Sequence, residues 1–189
     1  MDPRLPWAEY ADSGPHAGTA VHVTHVVPAP REEVFRAWTE PELLQRWYRP
    51  PGVTSVSAEL DPRPGGRYRI ALQRPPEASE TFCQVGTYLE VSPPERLVFS
   101  FGWEGLPPLE ALKEAHELDS RVIVQLRDLG ESTEVSLTHE RLETENMRAF
   151  HRWGWESTLD GLGETWERED DLTGTGKRKR GSDDDHRNE

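Results

Sequence analysis

The sequence predicts an α+β domain in which a strongly curved antiparallel sheet of about seven strands grips one long C-terminal helix. Three observations carry this expectation. Apolar residues recur with period two in short segments between Val21 and His139. The period becomes helical in only two places, directly after the first alternating segment and at the end. Pro- and Gly-containing turns separate the alternating segments, as antiparallel neighbours require. At 189 residues the chain suits one well-packed domain.

The first strand is VHVTHVV (21–27), with Val21, Val23, His25 and Val27 on one face. In PREEVFRAWTEPELLQRWY the period changes. Val34, Phe35 and Trp38 lie at helical spacing, and Leu43, Leu44 and Trp47 mark a second short helix. Thr39 with Glu42 makes a capping-box pattern, and Pro41 is tolerated in the first turn that follows, so the helices are expected to meet at Thr39. Val56, Ala58 and Leu60 then predict a strand, and a Pro64-Gly65-Gly66 turn leads to Tyr68, Ile70 and Leu72. Val85, Thr87, Leu89 and Val91 form the next alternation. The Pro93-Pro94-Glu95 turn precedes Leu97, Phe99, Phe101 and Trp103. Val122, Val124 and Leu126 follow, then a Gly130 turn, then Val135, Leu137 and His139.

The last element is a helix from about Thr144 to Arg168. At about 100° per residue, His151, Trp155, Thr158, Leu159, Leu162 and Trp166 share a face, while Phe150 and Trp153 fall off it. Gly154 and Gly161 each cost a helix roughly 1 kcal/mol, which predicts close packing at both. One helix cannot fill the concave side of such a sheet, so an internal cavity is expected.

Residues 1–19 are rich in Pro, Gly and Ala without periodicity, and 169–189 are Gly and charge. Both are expected to be disordered, flanking a folded domain over 20–168, because they bury too little apolar area to offset chain entropy. The net charge of -13 excludes nucleic acid as the expected partner. The basic run Lys177 to Arg180 is followed by Asp183, Asp184 and Asp185 and reads as a solvated tail. No stretch reaches the roughly 18 apolar residues of a membrane span, and the N-terminus lacks the order of a signal peptide. A lone Cys83 fits a reducing, cytoplasmic setting.

For chemistry the sequence offers little. Seven His occur without HxxxH, HExxH or CxxC spacing, so no metal is expected, and no other cofactor motif is present. GTGKRKRG lacks the strand, helix and GK[ST] ending of a phosphate loop. No GxSxG occurs, and Cys83, at the start of the Val85-Thr87-Leu89 face, reads as a packed thiol. Arg67 and Arg69 alternate with Tyr68 and are expected in solvent. His139 and His151 are the one candidate acid–base pair, against the alternative of hydrogen-bonded core histidines. Of the seven Trp, Trp38, Trp47, Trp103, Trp155 and Trp166 fall on inward faces. Trp38 and Trp47 suit the core, whereas Trp103 and Trp155 suit stacking on a flat ligand.

Four segments carry a resemblance: APREEVFRAWTEPELLQRWYRPPG (29–52), DPRPGGRYRI (61–70), GTYLEVSPPERLVFSF (86–101) and, more loosely, STEVSLTHERL (132–142) with HRWGWESTLDGL (151–162). The chain resembles the activator-of-heat-shock-protein-90-ATPase homologue family, within the START-like (SRPBCC) polyketide cyclase/dehydrase and lipid-transport superfamily. Trp38, Trp47, Tyr48, Gly66, Tyr68, Gly86, Tyr88, Pro94, Leu97, Phe99, His139, Gly154 and Trp155 sit where that pattern expects them. The resemblance implies a β-α-α-β6-α helix-grip domain with a pocket between helix and sheet. Candidate wall residues are Trp38 and Trp47 from the short helices, and Tyr68, Tyr88, Phe99, Phe101, Trp103, Val124 and His139 from the sheet. His151, Trp155 and Leu159 come from the last helix.

One segment departs from the pattern: 104–119 is longer than the usual hairpin. Leu106, Leu109 and Leu112 would line it as a lid, or the segment is a flexible loop; the sequence leaves both open. The expected partner is a small hydrophobic or aromatic molecule such as a lipid or polyketide, held for carriage, sequestration or self-resistance. A polyketide cyclase or dehydratase and a chaperone-linked partner protein are the alternatives. Monomer and homodimer both remain open.

Overall fold

The structure, a computed structural model, describes residues 18–74, 81–105 and 120–173, with 167–173 described as backbone only. The elements run β1 (Val21–Val27), α1 (Arg31–Thr39), α2 (Pro41–Trp47), β2 (Ser55–Leu60), β3 (Arg67–Gln73), β4 (Thr81–Ser92), β5 (Arg96–Glu104), β6 (Ser120–Asp128), β7 (Thr133–Glu140) and α3 (Glu145–Thr173). The seven strands form one sheet in the order β1-β7-β6-β5-β4-β3-β2, every neighbour antiparallel. This is the expected helix-grip architecture. β1 and β2 occupy opposite edges, so α1 and α2 must carry the chain across the concave side. α3 packs against β1 and α2. The ends expected as disordered lie mostly outside the described residues, as do Lys177–Arg180. α3 runs to Thr173, past the expected end at Arg168.

Period-two patterning places β3, β5, β6 and β7 as read. Tyr68, Ile70 and Leu72 are buried, as are Leu97, Phe99 and Phe101, then Val122, Val124 and Leu126, then Val135, Leu137 and His139. Each such apolar side chain contributes about 1.5–3 kcal/mol on burial. The helix face also stands, with His151, Trp155, Thr158, Leu159 and Leu162 buried.

Three local expectations are corrected. The capping box at Thr39 does not form: Thr39 closes α1 and its hydroxyl donates to the Phe35 carbonyl at 2.9 Å. The N-cap of α2 is Glu40, whose side chain makes no capping bond. Pro41 is the reason, because the residue before a proline is driven extended, and Glu40 sits at φ -104, ψ 122.

In β4 the face of Cys83, Val85 and Leu89 turns away from the interior, and Leu89 is exposed. The inward residues are Phe82, Gln84 and Tyr88. A bulge between Tyr88 and Glu90 then resets the phase so that Val91 packs on the core. Cys83 is buried on that outer side, its thiol pKa pushed up by burial.

In α3, a side chain at Gly154 would meet nothing within 4 Å, so no close packing explains that glycine. At Gly161 a Cβ would stand 2.9 Å from the Trp47 carbonyl oxygen, so there the expected close approach is present.

Candidate functional site

Indole and phenol rings fill much of the described concave side. Trp38 packs edge-on against Trp47 at 4.7 Å between centroids and lies 6.5 Å from Trp155. Trp47 is held in turn by its indole N–H, which donates to the Ala37 carbonyl at 3.0 Å and so locks α2 onto α1. Beside them lies a cavity of about 20 Å³, lined by Trp38 of α1, Leu44 of α2, Tyr48 just after it, Leu60 of β2, Tyr68 and Ile70 of β3, Gln84 and Tyr88 of β4, and Leu97 and Phe99 of β5. That is room for about one water molecule.

No lining residue is charged. The polar groups form a directed chain. Tyr68 reaches across Gly86, its partner on β4, and its hydroxyl donates to the Ser100 carbonyl at 2.9 Å. Any side chain at Gly86 would collide with that ring and with the Ser100 carbonyl, so only glycine fits there. Having spent its proton, the Tyr68 oxygen accepts from Gln84 Nε2 at 3.4 Å. This orients the amide and leaves Gln84 Oε1 to accept from the Tyr48 hydroxyl. Burial pushes the Tyr48, Tyr68 and Tyr88 hydroxyls far above the usual phenol range, so all three remain protonated. The buried Trp38 indole N–H finds no acceptor among the described residues.

A second polar chain joins α3 to β7, β6 and β5. The Trp155 indole N–H donates to His139 Nδ1 at 3.1 Å. His139 therefore carries its proton on Nε2, which donates to Ser120 Oγ at 3.0 Å, and Ser120 donates to the Phe101 carbonyl at 3.0 Å. His151 lies 4.4 Å from His139 between ring centroids, packed edge-on to Phe101 and Phe150 and stacked with Trp103. Burial holds His139 well below the usual imidazole range, helped by neighbouring His151, and burial pushes His151 down to about 3. Both rings are neutral at physiological pH.

The structure thus sorts the candidate residues. Trp38, Tyr68, Tyr88 and Phe99 line the cavity. Trp47 stands behind Trp38. Phe101, Trp103, His139, His151 and Trp155 form the second cluster, and Val124 and Leu159 are buried in the core beyond the cavity wall. Leu106, Leu109 and Leu112 lie outside the described residues. Leu44, Tyr48, Leu60, Ile70, Gln84 and Leu97 also line the cavity and were not among the candidates. Of these Gln84 carries the most chemistry. Its signal in the sequence is a polar residue in phase with Phe82 and Tyr88 on a strand whose other phase looks more hydrophobic.

A curled antiparallel sheet closed by a C-terminal helix over an interior pocket defines a START-like helix-grip domain. The family model described as "Activator of Hsp90 ATPase homolog 1-like protein" matches residues 28–167, and the chain belongs to that family. No curated protein sequence matches it. Among solved structures it is similar to a protein from Rhodobacter sphaeroides at 21% identity and TM-score 0.64, covering 82% of this chain and 97% of that one. It is similar to NE0264 from Nitrosomonas europaea at 24% identity and TM-score 0.63, covering 82% and 98%. CalU16 from Micromonospora echinospora is 28% identical at TM-score 0.54, covering 82% and 83%. Among the described residues no helix is long and apolar enough to cross a membrane.

Proposed function

We propose that this domain binds a small hydrophobic or aromatic molecule in the cavity between α1–α2 and β2–β5. One observation carries the reading: an uncharged wall of rings and aliphatic side chains encloses a few oriented polar groups, the composition of a small-molecule site. The small free volume means that occupancy requires the wall to open, so the ligand selects an expanded conformation. Held without conversion, the molecule is carried or sequestered. Self-resistance to a natural product is one such use, in the reducing cytoplasm that a lone buried Cys83 suits.

The imidazole pair does not favour a cyclase-type enzyme. His139 has committed both ring nitrogens, and His151 is held neutral by burial, so neither is poised to exchange a proton near neutral pH.

The test is native mass spectrometry of the protein purified from its own host, followed by tryptophan fluorescence titration with any compound released. A retained apolar compound that quenches saturably supports the reading, with the quench reduced in Trp38→Phe. An empty protein that no lipid, polyketide or flat aromatic quenches overturns it.

A further inference from the structure

Among the described residues the one buried side-chain N or O of the cavity wall without a partner is a donor, the Trp38 indole N–H, and we infer from it that the ligand is an uncharged molecule presenting a hydrogen-bond acceptor, such as a ketone or quinone oxygen, to Trp38 and Gln84. This rests on the binding reading above and specifies the chemistry of its ligand.

Trp38 is 4% exposed, and its indole N–H, which can only donate, has no acceptor among the described residues. Gln84 is 1% exposed and gives one of its two amide hydrogens to Tyr68 across a long 3.4 Å, leaving the other without an acceptor among the described residues. The Tyr48 and Tyr68 protons are already spent on Gln84 Oε1 and on the Ser100 carbonyl. A buried donor without an acceptor is costly, and the cost is recovered when a guest supplies a lone pair.

A carbonyl oxygen arriving with an apolar ring as the wall opens supplies the missing acceptor, whereas a plain hydrocarbon leaves the donor bare. An ionised carboxylate also offers lone pairs. With no Lys, Arg or His among the ten lining residues, however, its charge would be buried without a counterion. The site therefore selects against fatty acids and other anionic amphiphiles and in favour of neutral carbonyl compounds.

Three probes on one bicyclic skeleton separate these cases by calorimetry on the full chain: 1-indanone, indane and indane-1-carboxylate. The expected result is that indanone binds at least about tenfold tighter than indane, with the carboxylate weakest. In Trp38→Phe, which keeps a smaller aromatic side chain and removes the donor, the ratio of indanone to indane affinity shrinks to within about threefold. The carbonyl stretch of bound indanone should lie lower in the wild type than in Trp38→Phe. Should that variant fail to fold, the wild-type ratio and the displacement of the band from its position in hydrocarbon solvent decide alone. Equal binding of indanone and indane, or tightest binding of the carboxylate, overturns the inference and leaves the cavity reading standing. Binding of none of the three, up to their solubility limits, removes both.

Discussion

Trp155 Nε1 and His139 Nδ1 stand 3.1 Å apart, and that single bond decides which nitrogen of a buried imidazole carries its proton. An indole N–H only donates, so Nδ1 must be the lone-pair nitrogen and Nε2 the protonated one. Nitrogen-15 NMR of histidine-labelled protein should show the Nε2–H tautomer for His139 across the neutral range. Trp155→Phe removes the donor, and with it the reason for that choice. The variant should lose about 1–3 kcal/mol in urea unfolding, before any cavity cost is added. A His139 that exchanges between tautomers in the wild type would contradict the bond.

The two depressed histidines set the direction of the acid response. At neutral pH both are uncharged in the folded and unfolded chain and contribute no pH dependence. Below about pH 6.5 the unfolded chain binds protons that the folded chain refuses, so stability falls as pH falls, down to about pH 3 for His151. Each such proton steepens the decline by about 1.4 kcal/mol per pH unit. His151→Gln should therefore remove about one proton from the uptake on unfolding between pH 4 and 6. The comparison with wild type cancels the carboxylates, which act in the same direction. An unchanged slope would show that His151 titrates normally.

Two glycines in one helix should respond oppositely to alanine. Gly154→Ala adds a methyl into open space and should stabilise by about 0.5–1 kcal/mol through helix propensity. Gly161→Ala places its Cβ against the Trp47 carbonyl oxygen, backbone that cannot swing aside, and should destabilise despite the same propensity gain. Thermal melts of the pair are sufficient. Equal shifts would mean that α2 gives way at no cost.

These glycines also mark where the sequence was readable and where it was not. Hydrophobic period fixes element type and inward face wherever a strand is regular, so β3, β5, β6, β7 and the α3 face were legible residue by residue. It fails at β4, where the more hydrophobic phase (Val85, Leu89) is the outer one and the bulge after Tyr88 changes phase mid-strand. Gln84 was missed for that reason: its partners Tyr48 and Tyr68 come from two other elements, and only tertiary structure brings the three together. Likewise a helical glycine costs the same propensity whether or not anything approaches it, so Gly154 and Gly161 read alike until α2 is in place. The cap moved from Thr39 to Glu40 for a local reason, the backbone constraint before Pro41, which the capping-box pattern does not include.

The Tyr48–Gln84 bond gives a coupling prediction. Tyr48→Phe leaves Gln84 Oε1 without its donor, and Gln84→Leu leaves the Tyr48 hydroxyl without its acceptor; each should cost about 1–3 kcal/mol. The double variant removes both polar groups together and should lose less than the sum by at least about 0.5 kcal/mol in chemical denaturation. Strict additivity would show that the two groups do not share a bond.

The two internal hydrogen-bond chains end on consecutive carbonyls of β5, one on Ser100 and the other on Phe101. Successive carbonyls of a strand point to opposite neighbouring strands, so the two chains are anchored on opposite edges of β5. The Tyr68–Gln84–Tyr48 chain lies toward β4 and the Trp155–His139–Ser120 chain toward β6, and the two halves meet where Trp155 packs against Trp38 and Tyr48. A chain built this way can change what it recognises by exchanging side chains on β2, β3 and β4 while the far half keeps the domain folded. Divergence in ligand and persistence of fold then become separate problems, solved by different residues.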